Sequence, residues 1–336
     1  MPRNVALALA LGGLLSAGVA APVPKVTTKS SGVFVLDNCD ELYRGKANYE
    51  DNFTLFDSTG KLTFRVSGFN NCESIGCSRM VAPDPARRCV WALENVAHRL
   101  RRFDLAGKET LTIDSVHGSA IAVDPATGNV WLLAGGGRIG QGDTVVYNDK
   151  GSQVASHPVT GWDLAYDPRA KAFWIADRKL TKLTAATGAV VFTADITTWC
   201  ASSLDVDPRT GEAWVAVREH SQVANSRNRL LKFAPGGKEL VAVELGAKCP
   251  FRVSVDPKRG SVWVANFRQS VERFSADGKP EFERGVEAIA VQADPAGGDA
   301  WVVTPTEVQR MTSRGEVTRR APHAGKTSQA WVAAVE

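Results

Sequence analysis

Six residues able to hold a ligand or an ion recur at one fixed place in the chain. Cys77, His117, Thr160, Cys200, Cys249 and Glu287 each stand seven residues ahead of an Asp-Pro pair. Three thiols, an imidazole and a carboxylate are ligand types for a soft divalent cation. They lie 38 to 49 residues apart, without the short local spacing that marks a metal motif. The competing chemistry is a disulfide, for which Cys200 and Cys249, in successive units, are the natural pair in an oxidising compartment. A second candidate is Glu219-His220, a neighbouring acid and base with no visible third group to orient them. A solvated loop is the alternative there. Glu219, His220 and His117 are the residues to consider for catalysis.

The elements that must position these groups follow from the Asp-Pro pairs. Each is followed by five residues and a tryptophan: Asp84 to Trp91, Asp124 to Trp131, Asp167 to Trp174, Asp207 to Trp214, Asp256 to Trp263, and Asp294 to Trp301. Six of the nine tryptophans occupy that slot, so the slot is a repeat and not a coincidence. Segments such as 121–133 (IAVDPATGNVWLL) and 253–265 (VSVDPKRGSVWVA) place β-branched and aromatic residues on both sides of a Pro/Gly turn, which reads as a hairpin. Four-stranded units at this period predict a β-propeller. In the third unit the strands are expected at 119–123 (A), 129–134 (B), 144–148 (C) and 153–157 (D).

Before the first Asp-Pro, residues 33–36, 53–56 and 62–66 read as strands B, C and D with no A, and Gln329–Val335 falls where a seventh A belongs. The expectation is an all-β, seven-bladed propeller over 33–336 in which blade 1 is built from both ends of the chain; six blades with the N-terminal strands packed outside is the alternative. Strand A then lines the central channel, and the six recurring residues ring the mouth that carries the D-to-A and B-to-C loops. That face also holds the long insertions 38–52, 134–143 and 218–227, where binding groups accumulate on a rigid scaffold. Gly135, Gly137 and Gly140 match a GxGxxG pattern, but the run joins two strands and opens no helix, so it does not read as a dinucleotide site.

Six cysteines allow fifteen pairings. Their places in the repeat favour Cys39 with Cys72 or Cys77, and Cys200 with Cys249. Cys89, in an A-to-B turn on the opposite face, is left free.

Residues 1–20 have the form of a secretion signal: Arg3, an apolar run of small residues from Val5, and Gly18-Val19-Ala20 as the cleavage site. Residues 21–32 are a linker. The apolar run falls short of the roughly 20 residues of a membrane helix and is interrupted by Gly12, Gly13, Ser16 and Gly18. A secreted or periplasmic, monomeric protein with no membrane span is expected. Asn52-Phe53-Thr54 matches a glycosylation acceptor. The formal net charge of +4 is too small to imply a nucleic-acid partner, and Arg99–Arg102 and Arg319-Arg320 read as solvated strand faces.

Asn95-Val96-Ala97-His98-Arg99-Leu100-Arg101-Arg102-Phe103-Asp104 resembles the NHL repeat, and Asn228–Phe233 and Val271–Phe274 repeat its second half. The resemblance implies the propeller; such propellers include protein-binding, RNA-binding and enzymatic members. The gluconolactonase family is similar in fold but holds its metal with carboxylate and Asn side chains where this chain has Arg79, Ser119, Trp162, Ser202, Phe251 and Ile289. Streptogramin lyases have strand-B ends that Trp214–Glu219 and Trp91–Glu94 resemble loosely. The expectation is a binding or scaffolding module that takes a protein or small-molecule ligand at its loop-rich mouth, with a metal-assisted lyase or hydrolase as the alternative; no cofactor is named by the residues.

Overall fold

The computed structural model describes residues 32–39, 51–69, 79–94, 96–134, 142–196, 200–219, 227–322 and 327–335. The expected secretion signal, Cys72, Cys77, the three glycines of the GxGxxG match and His220 lie outside the described residues, as do the side chains of Cys39 and Cys200.

The chain forms seven four-stranded antiparallel sheets. Blades 2 to 7 each take four consecutive strands, from Val81–Asp84 through Val317–Pro322. In blade 3 the strands are Ala120–Val123, Val130–Leu133, Thr144–Tyr147 and Gln153–His157, each within a residue or so of the expectation. Blade 1 settles the blade count. Its strand A is Thr327–Val335, paired with Gly32–Cys39 in a register that puts Phe34 opposite Ala333 and Leu36 opposite Trp331. Asp51–Phe56 and Leu62–Phe69 complete it. The C-terminal strand therefore covers an edge that would otherwise offer unpaired amides to another chain.

The Asp-Pro-x5-Trp unit is a structural device. Each Asp ends strand A and turns its carboxylate onto the amides that follow, as Asp124 Oδ1 does with Ala126 N (3.0 Å) and Asp207 Oδ1 with Arg209 N (2.8 Å). The six repeated indoles are at most 1% exposed. Five of them face a cation directly across the sheet on strand C: Trp91 faces Arg102, Trp174 Lys182, Trp214 Lys232, Trp263 Arg273, and Trp301 Arg310. The charges lie 4.6–5.8 Å from the ring centroids, within cation–π range.

Each of these cations also donates to a carbonyl in the C-to-D turn of the next blade. Arg102 reaches Asp149 O (2.7 Å), Lys182 Pro235 O (3.2 Å), Lys232 Ala276 O (2.9 Å), Arg273 Ser313 O (3.3 Å) and Arg310 Ser58 O (3.2 Å). The last joins blade 7 to blade 1. Between blades 3 and 4 the cation is replaced: His157 stacks on Trp131 with centroids 5.1 Å apart and packs beneath the turn at Gly188. A Cβ on Gly188 would sit 2.0 Å from that ring, and its φ of +68° already calls for glycine.

Arg99–Arg102 are not the solvated face expected from sequence. Arg99 and Arg101 close on the fully buried carboxylate of Glu94 at 2.6 and 3.2 Å, because a carboxylate at the end of strand B needs compensating charge once it is out of water. Arg319 and Arg320 are exposed, as expected, and Arg320 pairs with Glu307.

Candidate functional site

The central channel is filled by its own polar side chains. Arg79, leading into strand A of blade 2, crosses to donate to Leu204 O on blade 5 (2.7 Å), with Asp163 and Asp205 at 3.5 and 3.6 Å. Asp163 Oδ2 accepts from Leu204 N (2.8 Å), Asp205 Oδ2 from Val255 N (2.9 Å), and Ser254 Oγ from Ala293 N (2.9 Å). Each such bond ties an inner strand to that of the next blade. Burial pushes the Asp205 carboxyl above the ordinary carboxylate range against the pull of Arg79. The cavity left among Arg79, Asp163, Ser203, Arg252, Gln292 and Trp331 is about 20 Å³, room for one water. No organic ligand fits there.

Of the recurring mouth residues, His117, Thr160, Cys249 and Glu287 have described side chains. His117 meets His98, on the B-to-C turn of blade 2, with ring centroids 3.7 Å apart. Val116 N donates to His98 O (2.8 Å), which confirms that the B-to-C and D-to-A loops share one face. Thr160 is half-buried in its own loop. Among the described residues no three His, Cys, Asp or Glu side chains lie close enough to hold a metal ion.

The expected Cys200–Cys249 disulfide is not formed, and Cys249 is a free, half-buried thiol. The two residues belong to separate ladders: Cys200 pairs with Arg218 in blade 5, while Cys249 accepts from Phe267 N (2.8 Å) and donates its amide to Gln269 Oε1 (3.0 Å) in blade 6. Cys89 is free as expected, and burial drives its thiol up to about 11. The Cys39 pairing falls outside the described side chains.

Glu219 is occupied structurally. Arg229 approaches its carboxylate at 3.7 Å, and its amide donates to Asn228 Oδ1 (2.9 Å), so the facing ends of strands B and C in blade 5 are tied together. Further round the mouth Lys248 bridges Glu272 (2.5 Å) and Glu283 (2.8 Å) of blade 6. Those carboxylates hold its ammonium above the ordinary lysine range despite burial.

Among the described residues, open space on the mouth face lies between blades 6 and 7. There Glu287, in the D-to-A loop, and Arg284 face Thr304–Glu307, Gln309 and Arg320 across a groove of about 310 Å³. Glu287 is exposed, and its carboxylate makes no hydrogen bond or ion pair with a described residue. Gln309 is 3% exposed. Its Nε2 donates to Glu307 Oε1 (2.6 Å), which fixes the amide orientation, since the flipped form would press two oxygens together. Gln309 Oε1 is left buried without a donor among the described residues. An unmet buried acceptor costs about 1–3 kcal/mol. Of the predicted site residues whose side chains are described, only Glu287 lies on this groove. Gln309 escaped because, in sequence, it is one polar residue in an alternating strand.

No protein-family model matches the chain, and no curated protein matches it in sequence. Among solved structures, hydrazine synthase from Kuenenia stuttgartiensis superposes with a TM-score of 0.64 at 14% identity, covering 82% of this chain and 92% of that one. The U3-55K structure superposes at 0.59 and 10% identity, covering 75% and 84%. The chain is a seven-bladed β-propeller. These likenesses are of fold alone.

Proposed function

We propose that this propeller is a secreted or periplasmic monomeric binding module that takes a small molecule or a protein segment at its mouth face. The observation that supports the reading is where space lies: the channel has room for one water, whereas the groove between blades 6 and 7 holds about 310 Å³ and exposes donors and acceptors. That volume is at the lower end of small-molecule sites, about 300–1,000 Å³.

The test is a thermal-shift screen of polar compounds against the parent, Glu287→Arg in the groove, and Lys150→Glu on the opposite face. A ligand at 100 times its Kd stabilises by about 2.7 kcal/mol. Binders should lose their shift in Glu287→Arg and keep it in Lys150→Glu; the reverse pattern overturns the reading. The metal-assisted lyase or hydrolase alternative has one observation in its favour, the His98–His117 pair. Its test is zinc or copper retained by the purified protein and lost in a His98→Ala, His117→Ala double variant.

A further inference from the structure

The groove between blades 6 and 7 shows which chemistry it lacks. Gln309 lines it, and its buried Oε1 is an acceptor with no donor among the described residues, held in that orientation by Glu307. Glu287 adds an unpaired carboxylate at the mouth of the same groove. A group that satisfies both must donate hydrogen bonds and carry positive charge, which is the description of an ammonium.

The rest of the lining asks for the opposite. Arg284 uses Nη1 on Gly315 O (2.7 Å), and Arg320 uses Nη1 on Glu307. Each guanidinium has five N–H donors, so both keep donors for an anion, and Arg320 is 55% exposed. Two guanidiniums and two carboxylates leave the groove neutral overall, so a ligand with no net charge enters without electrostatic penalty. Arg presents its donors as a planar fork suited to a carboxylate.

We infer that the groove is a site for a small zwitterion of the amino-acid class, its ammonium on Gln309 Oε1 and Glu287 and its carboxylate on Arg320 or Arg284. This assignment rests on the reading of the mouth face as a binding surface. It adds the ligand class and gives Gln309 the anchoring role.

Isothermal titration of the full chain with the free α-amino acids, their N-acetyl derivatives and their amides tests it. At least one free amino acid should bind, and its N-acetyl derivative and amide should bind at least about tenfold more weakly, the effect of losing a charge-assisted hydrogen bond. Glu287→Gln, an exposed change that leaves the fold intact, should weaken binding several-fold, and Gln309→Leu about tenfold. Gln309→Glu, which keeps an acceptor and adds charge, should retain the ligand if Gln309→Leu proves unstable. Absence of binding by every free amino acid, or equal binding of the N-acetyl or amide forms, overturns the zwitterion. If other compounds then lose their thermal shift in Glu287→Arg, the mouth-face reading stands and only the ligand class falls.

Discussion

The closing blade carries a carboxylate that should make the ring weaken as pH rises. Asp37 sits on strand B of blade 1, in register with Ala330 of the C-terminal strand, and is 1% exposed. Burial, with the neighbouring Asp51 adding to it, raises its pKa from 3.8 to about 7, although the Asn52 amide, donating at 2.7 Å, pulls the other way. Between those two values the folded protein holds a proton that the unfolded chain has released. The stabilisation is therefore complete below pH 3.8 and lost as pH rises through about 7. From pH 5 to pH 8 the loss spans about two pH units of differential proton binding, or about 2.7 kcal/mol at 1.36 kcal/mol per unit. Asp37→Asn keeps an acceptor for Asn52 N and removes the titration. Urea denaturation of parent and variant at pH 5 and pH 8 isolates the term: the stability difference between them should change by about 2.7 kcal/mol, the parent losing ground at the higher pH. Parallel profiles, agreeing within about 0.5 kcal/mol, would refute the reasoning that this carboxylate stays protonated in the closed ring.

Trp214→Ala, which empties a fully buried slot, should cost about 3–5 kcal/mol in denaturant titration. Deleting 327–336 removes strand A of blade 1, and size-exclusion chromatography should show aggregation from the exposed edge; a monodisperse, cooperatively melting product would contradict the closure. Iodoacetamide should label Cys249 in the native protein and Cys89 only after unfolding, since Cys89 is buried and burial holds its thiol at about 11.

The propeller was legible because hairpin turn and buried indole recur with little length variation between them. The split blade followed from counting strands at both ends. The cation opposite five of the indoles was not legible: Arg102 lies eleven residues after Trp91, but Lys182 only eight after Trp174 and Lys232 eighteen after Trp214. Loops between strands B and C vary in length, and only the sheet register aligns the partners. Equal places in the repeat put Glu287 on the groove between blades 6 and 7 but misled for the pairing of Cys200 with Cys249, because equivalent residues on a ring are held in separate sheets. Gln309 matters through what surrounds it, and single-residue chemistry carries no signal of that kind.

The five cation bonds between blades all run the same way, from strand C of one blade to the turn that follows in chain order, including the step from Arg310 back to Ser58. The ring thus has a rotational sense, like links in a bicycle chain. A whole blade cut from such a ring leaves, on one side, a cation still facing forward and, on the other, a turn carbonyl still facing back. Excision or duplication of one complete blade at the 5-to-6 boundary would rejoin matching halves. The blade number of this architecture is therefore open to change by units of one, at the cost of a different curvature rather than a different joint.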